Sequence, residues 1–188
     1  KYNPGKWLAF RLNAGTGFRL VNLFTEDHAF VTGQREVKIL EELQPEKSKS
    51  LILNTNYIYS GFNGSGNLDI DLFYTYFSNK IIPNYDNPKY IIYQNLEGYS
   101  YSKGVSGAWN HSFLNGTAFT LNFNHQVVKY TDYNNNKKTM LEMEHSPKWT
   151  AGLNIKFPIN SSWFINTSSN YVGIMQLPEV FNMEINGQ

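Results

Sequence analysis

An all-β fold, an antiparallel meander of about seven or eight strands, is what this sequence predicts, on three observations. Apolar residues recur at every second position through most of the chain, the period of a strand whose successive side chains point to opposite faces. Segments rich in Gly, Asn and Pro punctuate that alternation. No amphipathic helix recurs between the alternating segments, so a βαβ architecture has no support.

The first predicted strand is WLAFRLNAGTGF, in which Leu8, Phe10, Leu12 and Ala14 oppose Ala9, Arg11 and Asn13. Residues from about 20 to 48 then interrupt the alternation with helix-compatible stretches and a dense charge run, and are read as a long ordered connection. SLILNTNYIYS sets Leu51, Leu53, Thr55, Tyr57 and Tyr59 against Ile52, Asn54, Asn56 and Ile58. GFNGSG makes a tight turn, its three glycines expected to supply positive φ. In NLDIDLFYTYFSNKIIP, Leu68, Ile70, Leu72, Tyr74 and Tyr76 alternate strictly with Asp69, Asp71, Phe73, Thr75 and Phe77.

After the Pro/Asn-marked loop NYDNPKY, one returning segment is predicted over YIIYQNLEGYSYSKGVSGAWNHSF. There Val105, Gly107, Trp109, His111 and Phe113 oppose Gly104, Ser106, Ala108, Asn110 and Ser112. LNG turns the chain into TAFTLNFNHQVVKY, where Phe119, Leu121, Phe123 and Val127 oppose Thr120, Asn122, Asn124 and Gln126. Beyond the polar TDYNNNKKTMLEMEHSPK, WTAGLNIKFPI alternates again and NSSWFINTSSNYVGIM supplies the last strand.

The long connections (residues about 20 to 48, 82 to 90 and 131 to 148) alternate with the short turns GFNGSG, LNG and PINSS. Antiparallel strands deliver successive turns to opposite ends, so one end of the sheet carries elaborate loops and the other tight turns. The apolar face is either the inner core of a soluble sandwich or barrel, or the lipid face of an outer-membrane barrel. Strands of about ten residues, Asn, Ser, Thr and Gly on the opposite face, the loop asymmetry and the aromatics near strand limits favour the barrel. Those aromatics are Tyr57 and Tyr59 at the short-turn end, Tyr74 and Tyr76 at the long-loop end, and Trp7, Tyr130, Trp149, Trp163 and Tyr171.

Composition excludes several functions. The 188 residues carry 16 basic and 15 acidic groups, a net charge of +1, so no global field draws the chain to nucleic acid. The absence of cysteine removes thiolate chemistry and disulfides. Asp69 and Asp71 lie at i and i+2, about 6 to 7 Å apart on one strand face, yet have no Ser, Cys or His partner in the same segment and read as solvated wall charges. The histidines His28, His111, His125 and His145 form neither HxH nor HExxH, and NAGTGF lacks the rest of a nucleotide-binding fingerprint. No catalytic, cofactor or metal residue is assigned, and an enzyme is not expected.

The order of the segments carries a resemblance. LNAGTGFRLVNLFTED followed by EELQPEKSKSLILNTNY resembles the region of TonB-dependent outer-membrane receptors in which a GFR phrase ends one strand and a PEKS phrase opens the next. The matching residues are Gly17, Phe18 and Arg19, then Pro45, Glu46, Lys47 and Ser48. DIDLFYTYFSNKIIP, NLEGYSYSKGVSGAWNHSF and SPKWTAGLNIKFPI are similar to later barrel strands of these receptors, especially Bacteroidota-like ones. Ser106 stands where the family often has Glu or Asp.

The resemblance implies that residues 1–188 are part of a roughly 22-stranded transmembrane β-barrel in the bacterial outer membrane. It implies energy-coupled uptake of a scarce solute, with no cofactor. The implied partners are outer-membrane lipid, the plug domain and remaining barrel strands of a parent chain, TonB through the plug region, and a small-molecule, metal-chelate, peptide or glycan ligand. No plug or TonB box is recognisable, so a C-terminal portion of a larger barrel is expected. Its outward loops hold the candidate ligand contacts Arg35, Glu36, Glu41, Glu42, Tyr85, Asp86, Glu142 and His145. A passive porin and a soluble ligand-binding β-barrel or sandwich are the competing readings.

Overall fold

A computed structural model describes residues 1–20, 36–39, 43–61, 63–84, 89–134 and 137–177, with backbone alone at 36, 37, 132–134 and 137. The described strands are β1 (Tyr2–Gly5), β2 (Leu8–Arg19), β3 (Glu36–Ile39), β4 (Glu46–Gly61), β5 (Gly64–Ser78) and β6 (Ile81–Asn84). They continue with β7 (Tyr90–Asn95), β8 (Tyr99–Phe113), β9 (Ala118–Asn134), β10 (Lys137–Glu142), β11 (Trp149–Pro158) and β12 (Phe164–Val172). One antiparallel sheet runs β1-β2-β4-β5-β8-β9-β11-β12, with β10 paired to the far end of β9. The seven predicted alternating segments supply β2, β4, β5, β8, β9, β11 and β12.

The register aligns like with like. Leu12, Leu53, Leu72, Val105, His125 and Trp149 form one row across six strands. One residue along, Arg11, Asn54, Asp71, Ser106, Asn124 and Thr150 form a row on the opposite face. A slip of one residue in β2, β4 or β5 would put a leucine among the polar residues, so the period of two specifies the pairing.

Nothing in the described chain packs over the apolar face. Leu12 is 65% exposed and Leu72 52%, although both lie within paired strands. The buried hydrophobics among the described residues are Ile81, Ile91 and Leu96, all at the long-loop end and none in the wall itself. A sealed apolar interior, the signature of a soluble barrel or sandwich, is not what these residues form.

Aromatic side chains border that bare face. At the short-turn end, Trp7 meets Tyr57 at 5.9 Å, Tyr57 stacks on Tyr59 at 5.9 Å and Tyr59 on His111 at 5.6 Å. The Trp109 indole N–H donates to Tyr59 Oη at 2.7 Å. At the other end, Tyr74 stacks on Tyr101 at 6.1 Å and Tyr76 on Tyr99 at 5.4 Å. Tyr59 pairs with Gly66, and Tyr76 lies about ten residues further along β5, ~34 Å at the antiparallel rise. With the ~40° tilt of barrel strands the two borders stand ~26 Å apart, close to the ~25 Å apolar band of an outer-membrane wall.

The connections depart from the predicted meander. The two long connections at β2–β4 and β5–β8 contribute a second, three-stranded sheet, in the order β3-β7-β6, whose β3 and β7 run parallel. Parallel pairing requires a crossover, which β4 and β5 provide because they intervene in the chain between β3 and β7. Strands of four to six residues are too short for a period of two to announce them.

The single returning segment predicted from Tyr90 onward is also broken, at Leu96–Gly98. Gly98 adopts φ +123°, and Thr131 both donates to Tyr99 O at 2.8 Å and accepts from Tyr99 N at 3.3 Å. In GFNGSG the positive φ falls on Gly61 and Asn63 rather than on three glycines. Gly64 instead permits close approach, since a Cβ there would meet Ser112 O at 2.1 Å.

Gly104 has the same role inside the wall: a Cβ would meet His125 O at 2.1 Å and the Phe73 ring at 2.7 Å. Gly15 has nothing within 4 Å. Gly104→Val is therefore expected to destabilise the sheet by ~1–3 kcal/mol, and Gly15→Val to change it by no more than ~0.5 kcal/mol. Urea unfolding followed by tryptophan fluorescence checks this; equal midpoints for the two variants would refute the close approach at Gly104.

Candidate functional site: the polar face and the loop-end cap

Strand β5 presents Asp69 and Asp71 on the polar face because both are odd-numbered positions between Leu68, Ile70 and Leu72. Their partners follow from the register. Asn56 and Asn67 donate side-chain amide hydrogens to the two oxygens of Asp69 at 2.7 and 2.6 Å, and Asn54 donates to Asp71 at 2.8 Å. The amides come from neighbouring positions on β4 and β5 rather than from Arg or Lys.

Among the contacts described, the donors to both carboxylates are side-chain amides, and Ser106, opposite Asp71 in register, is not among them. Thr120 Oγ1 donates to Asn110 at 2.7 Å, and Ser50 and Thr75 share a hydrogen bond of 3.1 Å. Shallow depressions of about 370 Å³ beside Asn56, Asn67 and Asn110 and about 410 Å³ beside Asn122, Asn124 and Asn170 interrupt this amide-rich surface. What this surface offers is amide and hydroxyl groups for hydrogen bonding.

The short sheet β3-β7-β6 forms a cap at the long-loop end, tied to the wall through Glu46. This residue opens β4, pairs in register with Arg19 at the end of β2, and is buried. Its carboxylate accepts from Arg19 Nε at 2.7 Å and from the Ile81 backbone N–H at 2.7 Å, so one side chain links the β2–β4 rim to the start of β6. Charge-assisted bonds on both oxygens offset the cost of burying the carboxylate.

Lys80 lies next to this cluster, and burial lowers its pKa from the ordinary lysine value, opposed by the Glu46 carboxylate. Asn95 adds a second tie, accepting from Gln44 N at 2.7 Å and donating to Gln44 O at 2.9 Å and Asn79 O at 2.8 Å. Within the cap, the Lys38 ammonium sits 3.6 Å from the centre of the Tyr90 ring.

Of the expected ligand contacts, Arg35, Glu41, Glu42, Tyr85 and Asp86 lie outside the described residues. Glu36 begins β3, its backbone in register with Tyr90 in the cap. Glu142 ends β10 rather than lying in an irregular loop, and pairs with Lys148 at 2.7 Å. That hydrogen bond holds its carboxyl below the usual range, against a smaller desolvation effect. His145 occupies the following turn with φ 54°, its N–H donating to Gln176 O at 2.8 Å. Glu142 and His145 thus share the connection after β9, apart in sequence and sheet from Glu36.

The sequence does not mark the Arg19–Glu46–Ile81 tie as a site, though the GFR and PEKS phrases contain its two charged members. Asn95 had no comparable signal.

Among the described residues no group of three or more His, Cys, Asp or Glu is arranged to hold a metal ion. A family model described as "TonB dependent receptor-like, beta-barrel" matches residues 1–179. No curated protein matches the chain.

Glu46→Ala leaves the Ile81 N–H without its acceptor and the largely exposed Arg19 guanidinium to water, an expected cost of ~1–3 kcal/mol. Glu46→Gln keeps an acceptor for Ile81 and is expected to cost less. Hydrogen exchange should then accelerate over residues 81–96 in the order Ala, Gln, parent, while exchange in β5 changes little. Uniform exchange across the three proteins would show that Glu46 does not hold the cap.

Proposed function

The chain belongs to the TonB-dependent receptor-like β-barrel family, and from that premise we propose that it forms part of the wall of an outer-membrane receptor for energy-coupled uptake of a scarce solute. The family is characteristically one of outer-membrane, non-catalytic proteins. The observation that carries the reading is the bare apolar face bounded by two aromatic borders: a face this exposed is stable when lipid covers it.

In this reading the short turns face the periplasm, and the long connections with the β3-β7-β6 cap face outward. The polar face, with Asp69, Asp71 and their amides, lines the lumen and meets the plug, a domain that the family architecture places inside the barrel. The sheet ends at β1 and β12, whose outer edges need further strands of a larger wall, because an unpaired edge is not tolerated in lipid. That need supports reading residues 1–188 as a barrel portion, C-terminal in position by the likeness of their segments to later strands of Bacteroidota-like receptors.

The cap and outer connections are the proposed ligand-contact region, with Arg35, Glu36, Glu41, Glu42, Tyr85, Asp86, Glu142 and His145 as its candidates. TonB acts through the plug. A passive porin would share the wall but not the plug.

Leu72 and Ser106 test the assignment of the two faces. Leu72→Arg is expected to lower the free energy of folding into phosphatidylcholine vesicles by ~2–4 kcal/mol, the cost of an arginine near the bilayer midplane. Ser106→Arg, on the polar face, is expected to cost ~1 kcal/mol or less. Equal effects of the two substitutions, or a monomeric parent chain soluble without detergent, would overturn the membrane assignment.

A further inference from the structure

The charges on the apolar face are distributed unevenly between its two ends. By register and strand parity, Lys47 and Lys49 of β4, Lys103 of β8, Lys129 of β9 and Lys138 of β10 project from the same face as Leu53, Leu72 and Val105. All five are at the long-loop end. At the short-turn end, the strand positions of this face in β4, β5, β8, β9 and β11 include no Lys, Arg, Asp or Glu among the described residues.

The lysines coincide with the aromatic border. Lys49, Tyr76, Tyr101 and Lys129 form one row across β4, β5, β8 and β9, spanning ~15 Å at the usual strand spacing. Lys103 sits one step nearer the apolar band, beside Tyr74. The ammonium of Lys138 lies 4.7 Å from the Tyr99 ring centre, and that of Lys103 lies 5.7 Å from the Tyr101 ring centre. Lys47, Lys49, Lys103 and Lys138 are exposed. The acidic strand residue on this part of the face, among those described, is Glu142, which pairs with Lys148. Its register partner is Lys129, so one carboxylate stands against the whole row.

Fixed cations at the level where rings leave the apolar band face the headgroup layer, which their long stems let them reach. We propose that this lysine–tyrosine belt is a docking surface for phosphate-bearing anionic lipid in the leaflet at the long-loop end. The stems and tyrosine rings take the upper acyl region while the ammonium groups pair with lipid phosphates. At the short-turn border the strand positions of β4, β5, β8, β9 and β11 on this face offer no such cations, Lys6 of the β1–β2 turn lying beside Trp7 at its edge. The inference rests on the membrane reading above and adds a lipid specificity to one end of the wall.

The full chain is reconstituted in vesicles of phosphatidylcholine mixed with phosphatidylglycerol, extracted into non-ionic detergent, and its retained lipids are identified by native mass spectrometry. Phosphatidylglycerol should be enriched over phosphatidylcholine relative to the vesicles. The Lys49→Gln/Lys103→Gln/Lys129→Gln variant should retain ~10-fold less phosphatidylglycerol, and the corresponding triple Arg variant should retain as much as the parent. Inorganic phosphate at matching concentration should not displace the lipid.

Equal retention by the Gln variant and the parent, or displacement by inorganic phosphate alone, would overturn the proposal. If the Gln variant does not fold, the parent's own preference decides: entry into vesicles with no enrichment overturns the lipid surface and leaves the membrane reading standing. A parent chain that does not enter vesicles overturns both.

Discussion

Everything in this wall depends on the strand-to-strand backbone ladder. A single-layer sheet has no inner layer to bury its amides, so each N–H and C=O of a wall strand must find its partner on the neighbouring strand. The register from β2 through β12 does this over long uninterrupted stretches, β5 pairing with β4 along its whole length and with β8 along the other side. Once the ladder is made, each side chain has a choice of two sides and no third, and the alternation in sequence becomes a separation of two environments. The same ladder leaves β1 and β12 as the edges of the described sheet.

The two faces solve different problems. On the polar face, Asn54, Asn56 and Asn67 take up the oxygens of Asp69 and Asp71, so negative charge is held by local amide donors. On the apolar face Leu12 and Leu72 stay largely exposed, and in the proposed reading lipid supplies the cover that the chain does not. Aromatics concentrate where such surroundings would change from apolar to wet. The lysines at one end extend the same logic, because a cation near a lipid surface is favoured only where its head reaches the headgroups.

The loop end is stabilised by a different device. There Ile81, Ile91 and Leu96 are buried, and the buried Glu46 is accommodated because Arg19 and the Ile81 amide use both of its oxygens. A rim residue that bonds simultaneously to a wall strand and to the cap makes the cap part of the wall's end rather than a separate flap. Asn95 adds a second tie of the same kind through Gln44 and Asn79.

The sequence by itself determined the class of fold, the seven long alternating strands, their two faces and the contrast between short turns and long connections. These are local properties: a period of two is written into each strand, and turn residues act within a few positions. Asp69 and Asp71 were placed on the polar face without the structure, and their amide partners required only the register that aligns Asn54 and Asn56 with them. The parallel pairing of β3 with β7, the break at Gly98, the β10 arm and the Glu46 tie were decided by tertiary structure alone. Each joins segments distant in the chain or uses strands too short to show a period. The lysine belt has the same origin: Lys49, Lys103 and Lys129 are separate charges in the sequence, and become one surface only when the ladder sets three distant strands in register.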